Sequence, residues 1–127
     1  MVRALEAARR AARRAQEATY EGICTIIGYQ DVTDEKTGIS SETEVVVAKD
    51  QPCKLSFERL DAAAQTETGA VIAQGVKLFM APEIKVASGS KIIVTQNGVV
   101  GEYHASGEPA VYTTHQEIIL GLYERWA

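Results

Sequence analysis

The hydrophobic pattern of the first nineteen residues predicts one long helix. From Val2 to about Thr19 the chain is mostly Ala and Arg, two of the strongest helix formers, and neither Gly nor Pro interrupts it. The apolar positions that repeat at helical spacing are Leu5, Ala8, Ala12 and Ala15. Because most of these side chains are single methyl groups, they bury little surface on the chain's own body. They do permit the close approach of another helix, so we expect packing between subunits.

From Gly22 onward the pattern changes to that of β-strands. Runs rich in β-branched and aromatic residues predict strands at 23–29, 45–47, 54–57, 76–80, 91–96 and 99–103. The polar segment 31–43 predicts a long hairpin loop, and Pro52 is expected to break the strand that resumes at residue 45. Leu55 and Phe57 alternate with polar residues and are expected to share one face. The Asn-Gly pair at 97–98 predicts a tight type I′ turn between two strands.

The C-terminal segment fits two patterns. Ile118, Leu120 and Leu122 alternate as in a strand. Ile118, Leu122 and Trp126 also repeat at helical spacing, after a Thr-x-x-Glu sequence that matches a helix capping box. We favour a strand at 115–123.

These elements together predict a mainly β protein. The expected architecture is a small β-barrel of about six or seven antiparallel strands with one long N-terminal α-helix, and a sandwich is the alternative. The chain of 127 residues is long enough for one domain. We expect residues 1–19 to form the basic Arg/Ala-rich helix and residues 20–127 to form the β-barrel domain.

Charge divides the chain in the same place. The net charge is −4, but residues 1–19 contain five arginines and two glutamates, a net charge of +3, so the remaining residues carry −7. The five arginines are Arg3, Arg9, Arg10, Arg13 and Arg14. They fit a solvated helix face, contacts to acidic surfaces of neighbouring subunits, or contacts to nucleic acid phosphates. We rank subunit contact above DNA contact, because no aromatic residue that could stack on bases occurs before Tyr20.

Sequence motifs for nucleotide binding, metalloprotease or serine hydrolase chemistry do not occur in the chain. His104 and His115 share no metal-ligand spacing with Cys24 and Cys53, which are expected to be reduced thiols packed in strands. The sequence therefore predicts no catalytic, metal-binding or cofactor-binding residues, and we expect a non-enzymatic protein. No apolar run approaches the length of a membrane span, so a membrane partner is not expected.

Several stretches of the chain carry a family resemblance. The sequence LFMAPE followed by IKVASGSKIIV is similar to a strand that leads through a short i-x-x-G-[D/S]-x-I-x-V step into a hairpin. EYHASGEP is similar to an eY-x-x-sG-x-P segment, and THQEIIL is similar to a closing strand. The resembling stretches are 20–24, 51–56, 78–94, 102–109 and 114–120. In these residues the chain resembles the head-closure proteins, also called head-to-tail connector or stopper proteins, of tailed bacteriophages and phage-like elements.

The resemblance implies a structural protein of the virion. Subunits of such a protein form a homo-oligomeric ring, here expected to contain six or twelve copies, in the neck between head and tail. The ring closes the portal channel, retains the packaged double-stranded DNA and docks the tail. Its implied neighbours are a portal or adaptor protein on one side and a tail terminator or tail tube protein on the other. Assembly takes place in the cytoplasm of the bacterial host, and no cofactor is implied.

Two polar segments qualify as loops that reach into such a channel, 33–42 and 59–69, and we favour the second. Its candidate channel residues are Asp61, Gln65, Thr66, Glu67 and Thr68. The alternative functions are another phage joining protein, namely a tail terminator or an adaptor, and a cytosolic small-barrel protein that binds nucleic acid. An adaptor is expected to be mostly helical. A nucleic-acid binder is expected to carry basic and aromatic residues on the barrel itself, where this chain is acidic.

Overall fold

The computed structural model describes residues 2–59 and 74–122. Helix α1 spans Val2–Glu17, which confirms the predicted helix. It ends in a tighter turn, in which the Thr19 amide and hydroxyl both donate to the carbonyl of Gln16. Across the described residues, no helix combines the length and apolar character that a bilayer span needs. None of the residues Val2–Glu17 is buried, so α1 lies outside the core.

Seven strands follow the helix and form one antiparallel sheet. They are β1 Gly22–Thr33, β2 Ser40–Arg59, β3 Gln74–Met80, β4 Lys91–Gln96, β5 Val99–Ala105, β6 Ala110–Val111 and β7 Gln116–Leu122. The strand order is β3-β2-β1-β4-β5-β7-β6, and β3 also pairs with β7. This last pairing closes the sheet into a barrel of six strands, with the short β6 beside the start of β7. The predicted mainly β fold with one N-terminal helix is confirmed.

The core lies inside the closed sheet. Alternate residues of each strand point inward, as the pleat requires. The described core side chains are Cys24, Ile26, Cys53, Leu55, Leu78, Met80, Val86, Ile92, Val94, Ala105, Ile118 and Leu120. Leu78 lies directly opposite Leu55 on one neighbouring strand and Ile118 on the other, so it occupies the seam where the barrel closes.

The two cysteines lie side by side in this core. Cys24 in β1 and Cys53 in β2 are both free and fully buried. A hydrogen bond between the two thiols, together with burial, raises the pKa of Cys24 well above its ordinary value. Both therefore pack as small apolar side chains in strands, as predicted.

The first hairpin differs from the prediction. The polar segment 31–43 was expected to be a loop, but β1 continues to Thr33 and β2 begins at Ser40. The turn is tight, because the Asp34 amide donates to the Ile39 carbonyl at 3.0 Å and Gly38 adopts a positive φ of 70°. Thr33 and Ser40 lie opposite each other with their hydroxyls 3.1 Å apart, and such polar pairs support a strand whose faces contact water. The predicted loop is therefore shorter than expected, and the candidate channel segment 33–42 consists of the turn at 34–39 with strand residues on either side of it.

Pro52 does not end β2, in contrast to the prediction. Among the described strands, β3 reaches only as far as Cys53, so at Pro52 the strand has a neighbour on one side, where it pairs with Ile23. A residue that lacks an N–H is tolerated at such an edge. The irregularity lies just before it, where Asp50 adopts a positive φ of 51° and the register of β1 against β2 shifts.

The other local predictions are confirmed. Asn97 and Gly98 have positive φ values of 53° and 76° and join β4 to β5 in a two-residue turn. The C-terminal segment is the strand β7 rather than a helix. Leu55 and Phe57 share a face and line the same pocket at one end of the barrel, although Phe57 is 54% exposed. Residues 60–73 and 123–127, which include the candidate channel residues, lie outside the described part of the chain.

Candidate subunit interface

One arginine attaches α1 to the barrel. The Arg13 guanidinium donates to both carboxylate oxygens of Glu83, in the segment after β3, and the bond from Nη2 to Oε2 is 2.9 Å long. Its Nε also donates to Glu17 at 2.9 Å. The hydrogen bond from Arg13 holds the pKa of Glu83 below its ordinary value. A forked ion pair of this kind fixes the direction of the helix, although it contributes little energy at an exposed site.

Acidification is expected to loosen α1 from the barrel. Because the folded-state pKa of Glu83 is depressed, its contribution is complete above the ordinary value of 4.5 and is lost as the pH falls through the lower folded-state value. Glu83→Gln is expected to give the same release at neutral pH while changing the free energy of unfolding by less than about 1 kcal/mol. The rate of trypsin cleavage after the helix arginines measures the release at neutral pH. Glu108→Gln, at another exposed carboxylate, is the control, and equal cleavage rates in the two variants would contradict the prediction.

The rest of α1 contacts solvent. Only the last turns, at Arg13, Gln16 and Glu17, are partly covered, and Leu5 is exposed. The other four arginines, Arg3, Arg9, Arg10 and Arg14, are all exposed. Arg3, Arg10 and Arg14 are spaced seven and four residues apart, so they lie along one side of the helix. This basic stripe (Arg3, Arg10, Arg14) lies about 60° to 100° around the helix from Arg13, given 3.6 residues per turn.

A second element projects from the barrel at the first hairpin. Among the described strands, β1 pairs with β4 only as far as Ile27, and beyond that residue it pairs with β2 alone. We call residues 29–47 the hairpin arm. Every residue of the arm is exposed. An isolated two-stranded ribbon is marginally stable in water, so the exposed arm is a surface that gains from a partner.

The two faces of the arm differ in chemistry. Asp31 lies opposite Glu42, and Tyr29 lies opposite Glu44, so these four side chains share one face by the period of two along a strand. We call Asp31, Glu42 and Glu44 the acidic face. The Lys91 ammonium lies 3.7 Å from Glu44, whereas Asp31 and Glu42 have no hydrogen-bonding or ionic partner among the described residues. Like charges that lie directly opposite each other destabilise a ribbon, so the acidic face favours a cation.

The opposite face of the arm is uncharged. It carries three exposed valines and three polar side chains, namely Val32, Val45 and Val47 with Gln30, Ser41 and Thr43. Over the whole arm, five acidic residues and one lysine give a net charge of −4. The arm therefore combines one acidic and one uncharged face on a thin ribbon that reaches away from the core.

In the described part of the barrel, a further cluster of titratable side chains surrounds His115. The Nε2 atom of His115 lies 2.9 Å from the Glu117 carboxylate, and its Nδ1 atom lies 2.8 Å from the Thr114 hydroxyl. The imidazole ring also stacks on Tyr112. The hydrogen bond from His115, with a smaller contribution from Lys77, holds the pKa of Glu117 below its ordinary value. Within residues 2–59 and 74–122, no group of three His, Cys, Asp or Glu side chains is arranged to hold a metal ion.

The described residues include the predicted contact arginines but not the predicted channel residues. Arg13 binds its own barrel, and Arg3, Arg9, Arg10 and Arg14 remain exposed. The candidate channel residues Asp61, Gln65, Thr66, Glu67 and Thr68 lie outside the described residues. The acidic face of the arm was missed, because the segment 31–43, which contains Asp31 and Glu42, was expected to be a loop. The alternation of acids at 42 and 44 was the available signal.

No protein-family model and no curated protein matches the chain. Among solved structures, the chain is similar to the phage-like element PBSX protein xkdH from Bacillus subtilis. The sequence identity is 12%, the TM-score is 0.47, and the match covers 79% of this chain and 91% of that chain.

Proposed function

We propose that the chain is a head-closure protein of a tailed bacteriophage or phage-like element. Its copies form a ring in the neck of the virion, where they close the portal channel, retain packaged double-stranded DNA and dock the tail. The portal or adaptor protein lies on one side of the ring, and the tail terminator or tail tube protein lies on the other.

One structural observation supports a role in assembly above all others. The described core side chains of the barrel are buried within it, whereas α1 has no buried residue and every residue of the hairpin arm is exposed. Exposed, oppositely charged elements on a closed domain are typical of a subunit whose contacts lie in other molecules. The resemblance in residues 78–94, 102–109 and 114–120 supports the neck as the place of assembly.

The charge of the barrel agrees with a channel for DNA. Residues 20–127 carry a net charge of −7, of which the hairpin arm contributes −4 and the remainder −3, and like charges keep a passing duplex from adhering to the wall. The mainly β fold disfavours the adaptor alternative, which is expected to be mostly helical. A tail terminator remains the competing function in the same neck.

DNA retention by filled heads tests the proposal. Heads assembled without the protein are expected to lose their DNA after packaging, and adding the purified protein is expected to restore nuclease-resistant DNA. The amount of protected DNA and the ring density in particle images are the measurements. Heads that keep their DNA equally well without the protein, while free tails accumulate with disordered ends, would indicate a tail terminator instead.

The same assay tests the candidate channel loop. Deleting residues 61–68 is expected to leave the ring bound to heads while releasing DNA, because the loop is proposed to obstruct the channel. Shortening the tip of the hairpin arm at residues 34–39 is the comparison, since the tip is the other candidate. Full retention after the deletion of 61–68 would exclude that loop as the gate.

A further inference from the structure

We propose that the basic stripe of α1 in one subunit binds the acidic face of the hairpin arm in a second copy of this chain. The inference rests on the proposed ring and names the contact that would build it. Neither surface is covered by the barrel that carries it, and their charges are opposite. The partner that fits both surfaces is therefore the chain itself.

The spacing of the charges agrees on the two surfaces. Arg10 and Arg14 are one helical turn apart, about 6 Å along the axis. The cross-strand pair of Asp31 with Glu42 and the row that contains Glu44 are two residues apart along the ribbon, about 7 Å. One arginine can thus reach each row, and a guanidinium placed between Asp31 and Glu42 removes the repulsion of that like-charged pair.

The attachment of α1 leaves this stripe available. Arg13 is occupied by Glu83 and sets the direction in which the helix leaves the barrel. Arg3, Arg10 and Arg14 lie about 60° to 100° around the helix from Arg13, and all three are exposed. Arg13 and the basic stripe therefore have separate roles, since Arg13 orients the helix and the stripe contacts the neighbour.

The contact joins different surfaces of the two copies. Such a heterologous contact leaves a free helix on one subunit and a free arm on the other, and it repeats until the rotation closes a ring.

Charge reversal on each surface tests the inference in the full-length protein. Arg10→Glu/Arg14→Glu and Asp31→Lys/Glu42→Lys are each expected to weaken self-association at least about tenfold, because like charges then face each other. The combined four-residue variant and an equimolar mixture of the two double variants are both expected to associate again. Sedimentation velocity at low and high salt is the measurement. Lys49→Glu/Lys85→Glu, which changes the net charge as much as the helix reversal does, is the control and is expected to associate like the wild type.

Each outcome decides between the contact and its competitors. Self-association that persists in both double variants, or that the combined variant fails to recover, overturns the inference and leaves the DNA-retention test of the proposed function standing. A wild-type chain that stays monomeric up to about 1 mM also overturns it. If the helix reversal abolishes duplex DNA binding and leaves self-association unchanged, the stripe contacts DNA instead.

Discussion

Replacing Gln116 with leucine is expected to destabilise the barrel by about 2 to 4 kcal/mol, because the change leaves two hydrogen-bond acceptors without their donor. Gln116 lies at the start of β7 and is only 1% exposed. Its Nε2 donates to the carbonyl of Ala81 at 2.7 Å and to that of Ile84 at 2.6 Å. These two bonds hold the segment after β3 against β7. Leucine has a similar volume but donates nothing to the two carbonyls.

Urea unfolding followed by circular dichroism measures this loss. Gln30→Leu, at an exposed position of the hairpin arm, is the matched control and is expected to change the free energy of unfolding by less than about 0.5 kcal/mol. A Gln116→Leu variant as stable as the control would show that the two carbonyls find other donors. Because this segment also carries Glu83, the variant is further expected to loosen α1.

Replacing Leu78 with alanine is expected to cost about 3 to 5 kcal/mol, a large fraction of the stability of a small domain. Leu78 is fully buried and lies opposite Leu55 and Ile118. The three side chains meet where β3 joins β2 to β7, so the cavity opens at the seam that closes the barrel. Relaxation is limited there, since strands on both sides are held by their backbone ladders.

Ile119→Ala is the control for this substitution. Ile119 lies on the neighbouring register position of β7 and is 59% exposed, so its truncation is expected to cost less than about 1 kcal/mol. Amide exchange adds a local measurement, because opening of the seam exposes the bonds between β3 and β7. If Leu78→Ala and Ile119→Ala lower the free energy of unfolding equally, the packing of Leu78 at the seam is not important for the stability of the barrel.

Much of the fold could be predicted from local sequence. The helix follows from Ala and Arg propensity, and the turn at Asn97 and Gly98 follows from the positive φ that both residues tolerate. Pro52 was misinterpreted because its tolerance depends on where β3 stops pairing with β2, which is a long-range property. The strand register of the hairpin arm was missed for a related reason, since polar residues on both strands look like a loop until their partners are known.

Of the two surfaces in the candidate contact, only the arginines of α1 could be predicted from the sequence. The arginines of α1 are close in sequence, so their charge was visible as a cluster. The acidic face needs Asp31 from one strand and Glu42 from the other, and only the pairing of β1 with β2 brings them together. The anchor at Glu83 is seventy residues from Arg13, and no local pattern links the two.

The two buried cysteines make the barrel part of the first hairpin an internal reporter. Cys24 and Cys53 lie in the segments of β1 and β2 that belong to the barrel, and neither thiol is accessible in the folded chain. Thiol reagents attack the thiolate, and the raised pKa of Cys24 suppresses that form further. Alkylation of the native protein therefore requires β1 and β2 to separate around the cysteines first, and the alkylation rate measures how often this happens. A neighbour that clamps the arm would slow this labelling without touching either sulfur atom.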